Sequence, residues 1–419
     1  MIGLLSQKSN KPTKTKKAMK TKKFLSMAAL ALVGAMMTGC SSDDNFDNPQ
    51  QPENKSNVVT LTTTVGFADG ATTRALTIDG NKGVKTFAAG DQMAVIYFNG
   101  TSNVKAVSHA LEAGDITNEG KNATFTFDLE TPQKSGPVLY IYPAAMAGET
   151  GVDVTKLNTQ EGTFDALQSK YDLCTNFGDW DGDNLPSLTL ENLLAILAIN
   201  LKNGSTDITS TITDLSLSDG TNTYNVSRSA AAGPIYVAVL PTSGATINVT
   251  ATDGTDEYVK TLTSKTYDAG NGYNVTWNMT KLPKVTWNST NVFNNSHQND
   301  ALDRNHTTPL NYEGITISFS GTFVSSFSPY SPGMGNAVLN CYGSEGDSFT
   351  FTAPSGKKFT KIEIIDNYGI AFDAYGDWTL PVNEKIVWRG TPASMVTLGG
   401  SDDTFAQDLN SIVFTLKDE

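Results

Sequence analysis

Three aspartates at alternating positions form the most metal-like pattern in the sequence. Asp179, Asp181 and Asp183 lie in the segment GDWDGDN, and a calcium-binding loop begins with carboxylate oxygens spaced in this way. The segment departs from the EF-hand pattern, because Asn184 stands where that loop needs glycine and Leu190 where it needs a bidentate glutamate. Calcium binding and an acidic loop between two lobes are both compatible with these residues.

A second cluster combines aromatic rings with amide and carboxylate groups. It consists of Asn367, Tyr368, Tyr375, Asp377 and Trp378. Sugars are held by such groups, because their C–H faces stack on aromatic rings while their hydroxyls form hydrogen bonds with polar tips. The cluster predicts a contact with a glycan. The alternative is that these rings cover one end of a β-sandwich.

The sequence contains no motif of a known catalytic mechanism. The three histidines, His109, His297 and His306, are too few and too scattered for most metal sites. H-E-x-x-H, G-x-S-x-G, C-x-x-C, P-loop and G-x-G-x-x-G patterns are all missing. The sequence has 43 Asp and Glu residues, so a catalytic pair of carboxylates brought together by the fold, as in glycosidases, remains an alternative. We predict a protein that is not an enzyme and needs no cofactor other than this possible calcium.

The N-terminal residues form a targeting segment rather than part of a fold. Lysines between Lys8 and Lys23 precede an apolar run at Phe24–Met37. This run of 14 residues is too short to span about 30 Å of hydrocarbon at ~1.5 Å per residue. It is typical of a signal peptide, and translation could begin at Met1 or at Met19.

Cys40 follows a pair of small residues, Thr38-Gly39, and the boundary resembles a bacterial lipobox. In such signals the cysteine thiol is acylated and becomes the mature N-terminus. We predict a signal peptide over residues 1–39 and a lipid anchor on Cys40 in the outer membrane. The alternative is an ordinary secretory signal with an incidental cysteine.

Residues 40–57 are polar, acidic and proline-bearing, so they predict a flexible tether. Acidic residues directly after the acylated cysteine also resemble the surface-export signal of Bacteroidetes lipoproteins, although a generic linker would have the same composition. The full chain has a formal net charge of −13, and residues 1–39 carry eight lysines and no acid, so the remainder has −21. A chain this acidic repels nucleic acid and anionic lipid.

The sequence after the tether predicts an all-β protein. Val58–Phe67 has apolar side chains at alternate positions, with Thr63 on the same face, and this is typical of a half-buried strand. The alternation recurs at Thr124–Leu129 and Gly272–Met279, with turn residues between the runs. Leu188–Leu201 has partly helical spacing, which we interpret as a short helical turn near its start followed by a buried strand.

Four short motifs in this region resemble, in order, those of the fimbrillin family of Bacteroidetes, the subunits of lipoprotein-derived pili. They are Phe87-x-x-Gly90-Asp91-x-Met93-x-Val95, the helix-into-strand segment Leu190–Leu201, Ile235–Pro241 (IYVAVLP) and Tyr267-Asp268-Ala269-Gly270-x-x-Tyr273. The resemblance implies two tandem β-sandwich lobes over residues 58–282, with a boundary near 176–187. It also implies a surface-exposed protein that belongs to a fimbrium and takes part in adhesion.

The resemblance implies a processing step and a mode of assembly as well. The resemblance implies a pro-form from which an Arg-specific peptidase removes the first strand. A strand of another subunit would then fill the groove that this strand leaves. Arg74 and Ala75, in a loop after the strand at 58–67, match such a cleavage point. Partners would then be other fimbrillin subunits, joined by strand exchange.

Residues 283–419 depart from the family pattern, because a further β domain stands where a shaft subunit ends in a donated strand. We therefore expect an accessory or tip-like subunit. The alternative function is a lipid-anchored surface glycan-binding protein of a polysaccharide uptake system, with this last domain as the binding module. The glycan would then be of host or dietary origin.

Overall fold

The computed structural model describes residues 58–67, 86–130, 132–288, 309–320, 324–328, 338–343, 348–366, 376–379, 385–399 and 405–419. Regular structure in these residues is almost entirely β, which confirms the predicted all-β class. The chain divides into two compact units. The first unit includes the described residues of 58–67, 85–154 and 173–191, and the second includes 155–172 and 192–419. The finer division into signal, tether, lobes and last domain stays a prediction.

The strands are short and are separated mainly by turns. From the N-terminal side they are β1 (Val58–Phe67), β2 (Ala94–Phe98), β3 (Asn103–Val107), β4 (Ile116–Thr117), β5 (Asn122–Glu130), β6 (Ser135–Tyr142), β7 (Thr159–Gln160), β8 (Cys174–Asp181), β9 (Leu188–Asn192), β10 (Ala195–Asn203), β11 (Thr206–Asp207), β12 (Asp214–Ser218), β13 (Thr223–Ser227) and β14 (Ile235–Val239). They continue as β15 (Thr242–Thr252), β16 (Glu257–Tyr267), β17 (Gly272–Asn278), β18 (Thr280–Lys281), β19 (Lys284–Asn288), β20 (Leu310–Tyr312), β21 (Ile315–Ser320), β22 (Val324–Ser328), β23 (Val338–Gly343), β24 (Ser348–Thr352), β25 (Lys357–Asp366), β26 (Lys385–Trp388), β27 (Met395–Gly399) and β28 (Phe405–Asp418). Helical turns lie at Ala113–Asp115, Asn118–Gly120, Ala144–Met146, Val154–Asn158, Phe164–Ala166, Leu167–Tyr171 and Thr209–Thr211.

The first unit is built on one eight-stranded sheet with the order β3-β2-β6-β8-β9-β1-β5-β4. Alternation along β5 is complete: Phe125, Phe127 and Leu129 are fully buried, while the residues between them face outward. Burial of such large side chains contributes about 1.5–3 kcal/mol each. The inward-facing side chains of this strand therefore contribute to the core of the first unit.

Two sheets face each other in the part of the second unit that precedes residue 283. A four-stranded sheet contains β10 between β14 and β17, with β11 at the end of β10, and a six-stranded sheet has the order β18-β16-β15-β12-β13-β7. Apolar side chains from both sheets, including Leu197 and Leu217, meet in the space between them. Gln160 closes the outer edge of β14, since its side-chain amide accepts from the N–H of Ala238 at 2.9 Å and donates to its carbonyl at 2.7 Å.

The predicted helical turn at the start of Leu188–Leu201 is wrong, whereas the buried strand that follows it is confirmed. Glu191 lies in strand β9, and β10 begins at Ala195. β10 is the central strand of its sheet, so successive residues are buried on both of its faces and read as a continuous apolar run. The leucines before β10 have helical spacing only because strand β9, two residues outside any strand and strand β10 follow one another.

The C-terminal residues form two further sheets that share one core. One sheet has the order β22-β23-β28-β25-β26, with β19 also paired to β28, and the other has the order β20-β21-β24-β27. Trp287, Phe351, Phe359 and Phe414 are among the fully buried members of the common cluster. Strand β28 is central, because it pairs with β25 on one side and with β23 and β19 on the other. It cannot leave this sheet without dismantling it.

Candidate functional site

Strand β1 is held unequally by its two neighbours in the sheet. It pairs with β5 in antiparallel register over nine residues, 58–66. Its pairing with β9 is parallel and covers only residues 65–67. Within the described residues, β1 is therefore attached along one backbone edge for almost its whole length and along the other edge only at its C-terminal end.

Burial along β1 increases in the same direction. Val58 is 49% exposed, whereas Thr63, Val65 and Phe67 are exposed by 4%, 1% and 9%. The side chains of these three residues point into the core because a strand places every second residue on the same face. The C-terminal half of the strand therefore supplies most of its anchoring.

Phe67 ends the strand inside a cluster of aromatic rings. Its ring stacks on that of Phe87 with centroids 4.2 Å apart, and it meets Tyr142 edge-on at 5.7 Å. Phe87 in turn contacts Phe125 of β5 edge-on at 5.4 Å. Such pairs contribute about 0.5–1.5 kcal/mol beyond the area they bury. Loss of Phe67 would thus remove two ring contacts from the cluster.

The Gly90-Asp91 motif positions the aromatic partners of β1. The Asp91 carboxylate accepts hydrogen bonds from the N–H of Ala88 and the hydroxyl of Tyr142, both at 2.7 Å. Gly90 has φ +92°, a conformation that favours glycine in this turn. These bonds tie Tyr142 to the turn that follows Phe87. The Phe87-x-x-Gly90-Asp91 motif therefore forms part of the surface against which β1 packs.

Thr63 provides a polar anchor within the apolar face. Its hydroxyl donates to the carbonyl oxygen of Pro186 at 2.8 Å, and the hydroxyl of Tyr140 donates to the same oxygen at 3.0 Å. One carbonyl accepts both, because it carries two lone pairs. Burial raises the pKa of Tyr140 above its ordinary value, so this hydroxyl stays protonated and available as a donor.

The outward face of β1 is bonded to β5 through polar side chains. Thr60 donates to Asp128 at 2.6 Å, and the hydroxyls of Thr64 and Thr124 lie 3.0 Å apart. His109 Nε2 lies 2.9 Å from the second oxygen of Asp128. The hydrogen bonds from Thr60 and from His109 lower the pKa of Asp128. Side-chain hydrogen bonds on the outward face thus add to the backbone ladder between the two strands.

Six of the predicted site residues lie outside the described part of the chain. They are Cys40, Arg74, Ala75, Asn367, Tyr368 and Tyr375. The lipidation, cleavage and glycan assignments made on them stay predictions.

Trp378 is placed differently from its predicted role. It is only 5% exposed, packs against Phe351 with ring centroids 6.1 Å apart, and donates through Nε1 to the carbonyl of Thr397 at 3.0 Å. A ring buried on the core cannot stack on a sugar, so the assignment of Trp378 as a glycan contact is corrected to core packing. Asp377, its neighbour, is exposed.

The three aspartates of the calcium prediction do not come together as ligands. Asp179 and Asp181 lie on β8, and Asp183 follows the strand and pairs with Lys134 at 2.8 Å. This ion pair lowers the pKa of Asp183. In the part of the chain that the structure describes, no group of three or more His, Cys, Asp or Glu residues could hold a metal ion.

The polar contacts of Thr63 and Asp128 were not predicted from the sequence. One signal was available for Thr63, which interrupts an otherwise apolar face and needs a hydrogen-bond partner once buried. Its acceptor, Pro186, lies 123 residues further along the chain. The pairing of His109 with Asp128 had no local signal.

These features define an all-β protein with a first strand that is anchored mainly from one side. No protein-family model matches the chain. No curated protein matches it either. Among the described residues, none of the helices has the length and apolar character needed to cross a membrane.

Several solved structures are similar to parts of the chain. A fimbrial assembly protein from Parabacteroides distasonis has 9% identity and a TM-score of 0.31, over 52% of this chain and 90% of that one. A protein assigned to cell adhesion from Bacteroides uniformis has 17% identity and a TM-score of 0.29, over 53% of this chain and 97% of that one. A second such protein, from Bacteroides fragilis, has 14% identity and a TM-score of 0.30, over 52% and 89%.

Proposed function

We propose that the protein is a fimbrillin-like adhesion subunit of the cell surface, in which a strand of another subunit can replace β1. The observation that carries the proposal is the position of β1 in its sheet. Its removal would leave nine residues of β5 and three of β9 without their ladder partner, together with a cleft where Val65 and Phe67 had been buried. Unpaired strand edges beside exposed core strongly favour pairing with another chain.

The contacts of β1 define what an incoming strand must offer. It needs alternating apolar residues, with an aromatic ring at the position of Phe67 to stack on Phe87. Two and four residues earlier it needs an aliphatic side chain and a hydroxyl, in the places of Val65 and Thr63, so that the carbonyl of Pro186 keeps a second donor besides Tyr140. A strand shifted by one residue would place its apolar side chains on the solvent face.

Release of β1 would follow cleavage between Arg74 and Ala75. The excised piece would carry the acylated Cys40 with it, so the subunit would leave its outer-membrane anchor when it enters a fibre. The residues before Arg74, Gly70-Ala71-Thr72-Thr73, are small, and the sequence predicts an exposed loop there. Proteases cut such segments readily, because several residues must extend into the protease cleft.

An accessory or tip position is supported by the way the later strands are used. Residues 272–288 form β17, β18 and β19, and each is paired with a strand of the same chain. Strand β28 is likewise central in its own sheet. The described strands of this region are therefore committed within the subunit, which suits a subunit that accepts a strand rather than one that donates.

An assay of cleavage and assembly tests the proposal. The purified full chain is treated with an Arg-specific protease and then analysed by N-terminal sequencing and negative-stain electron microscopy. The matched control is Arg74→Lys, which keeps the charge and removes the cleavage point; the other arginines are Arg228, Arg304 and Arg389. For the wild-type protein, alone or with added subunits, we expect chains that begin at Ala75 and we expect fibres. For Arg74→Lys we expect neither. Surface fibres containing only chains that begin at Cys40 would contradict the proposal.

A further inference from the structure

The outer face of the six-stranded sheet in the second unit carries a groove of about 490 Å³. Its floor is formed by small polar side chains of β12, β13 and β15, among them Ser216, Asn225 and Thr250. These residues alternate along their strands with buried apolar ones and therefore face away from the core. The volume is within the range of about 300–1,000 Å³ that small-molecule sites occupy.

One wall of the groove belongs to the segment that follows β26. Arg389 pairs with Glu257 at the start of β16, with 3.2 Å between Nη1 and Oε1. The Arg389 side chain remains 53% exposed, so its guanidinium lies at the groove with further N–H groups to offer. Thr360 also donates to Glu257, at 3.4 Å. These contacts hold the wall against the end of the floor.

The backbone of the wall passes close to two side chains at Gly390. A Cβ atom at this position would lie 2.4 Å from a carboxylate oxygen of Asp377 and 2.7 Å from the ring of Trp388. A larger residue here would require the Asp377 side chain and the buried ring of Trp388 to shift. Pro392, which also lines the groove, further restricts the segment. Close packing at Gly390 and the proline ring thus restrict the backbone of this wall.

The floor offers hydrogen-bonding groups in fixed orientations. The Ser216 hydroxyl donates to the Asn225 side-chain oxygen at 2.8 Å, which leaves the amide nitrogen of Asn225 as a donor. Thr250 and Ser227 add exposed hydroxyls on neighbouring strands. The lining therefore combines neutral donors and acceptors with the Arg389–Glu257 pair and two further charged residues, Asp214 and Lys417. The formal charges of these four residues balance, so the groove suits a ligand whose polar groups are neutral hydroxyls.

We infer that this groove binds a neutral oligosaccharide. An anionic glycan is disfavoured, because the chain has a formal net charge of −13. An extended peptide is disfavoured as well, since a peptide strand adds to a sheet edge, whereas this floor is a sheet face whose backbone groups are already paired in the ladders of β12 with β13 and β15. The inference does not depend on cleavage or fibre assembly.

The test measures binding of the full chain to an array of neutral polysaccharides and oligosaccharides, followed by calorimetry with the strongest array ligand. Ser227→Trp fills the groove from an exposed position, and Thr223→Trp places the same ring at the other end of β13, outside the groove. We expect Ser227→Trp to weaken binding by at least about tenfold and Thr223→Trp to leave it unchanged.

A second pair of variants separates loss of a contact from obstruction. Asn225→Ala should weaken binding by about threefold to tenfold, because it removes a hydrogen-bonding amide. Asn248→Ala, on the same sheet face but outside the groove, should not change it. The inference is overturned if the array shows no neutral glycan bound, if only anionic glycans bind, or if Ser227→Trp binds as tightly as wild type. Polymerisation after Arg-specific cleavage is measured separately, so the two ideas can fail independently.

Discussion

Replacement of Phe67 by alanine tests whether β1 is anchored at its C-terminal end. The Phe67 ring stacks on Phe87 and meets Tyr142 edge-on. Truncation of a buried phenylalanine to alanine costs about 3–5 kcal/mol, and because Phe67 is 9% exposed at the end of its strand we take the lower value. A loss of about 3 kcal/mol corresponds to a rise of roughly 150-fold in the population from which β1 has detached.

Val58→Ala is the matched control on the same strand. Val58 is 49% exposed and lies at the end that pairs only with β5. A substitution at such a surface position changes stability by at most about 0.5 kcal/mol, which is roughly a twofold change in the same population. The two variants remove apolar atoms from one strand, so the difference between them measures where that strand is held.

Hydrogen exchange followed by mass spectrometry reads this population directly. Amides of β5 that pair with β1 should exchange about a hundredfold faster in Phe67→Ala than in wild type, whereas amides of β15 in the second unit provide an unchanged internal reference. An increase below about tenfold in Phe67→Ala, or an equal increase in Val58→Ala, would refute the conclusion that the C-terminal half anchors the strand.

Three further predictions concern acid sensitivity and the C-terminal core. Because the pKa of Asp128 is lowered in the folded state, its stabilising effect is complete above the unfolded pKa of about 3.9 and is lost as the pH falls through the lower folded pKa. Asp128→Asn should therefore reduce the loss of stability at acid pH, measured as the urea midpoint between about pH 2 and pH 6. The same acid loss in the variant as in wild type would contradict this. Lys361 and Lys385 both pair with buried Glu363, so Glu363→Gln should destabilise the protein by about 3–5 kcal/mol in urea unfolding. The double variant Lys361→Met with Glu363→Leu should lose less stability than this single variant. A larger loss in the double variant would be inconsistent with a buried ion pair. Trp378→Ala should lower the free energy of unfolding by about 3–5 kcal/mol in the same measurement, and Trp378→Phe should lower it clearly less. Wild-type stability in both variants would contradict the burial of Trp378 in the core.

The individual strands and one turn could be predicted from the sequence because they depend on near neighbours. Alternation along Val58–Phe67 predicts a strand whatever it pairs with, since successive side chains of a strand point to opposite faces. Gly90-Asp91 could be interpreted as a turn because glycine tolerates positive φ and the aspartate bonds the backbone nearby. The motif order also led to the expectation of a replaceable first strand.

The sequence did not reveal which groups meet across the fold. Glu191 lies in a strand rather than a helical turn because β9 pairs with β1, about 120 residues earlier in the chain. Trp378 could be interpreted from the sequence either as a glycan contact or as a ring that covers one end of a sandwich, and the structure buries it against residues of other strands. The groove on the six-stranded sheet brings Asn225 and Arg389 to one site, and no pattern near either residue indicates the other.

The sequence by itself therefore determined the all-β class, the position of the first strand and the turn that supports it, because periodicity and turn chemistry act over a few residues. Tertiary structure alone decided that β1 is held along β5 and only briefly along β9, that Thr63 shares the carbonyl of Pro186 with Tyr140, and that Trp378 packs in a core. The physical reason is that alternation specifies which face of a strand is buried but not which strand lies beside it. Pairing, register and burial are set by the summed interactions of residues far apart in the chain.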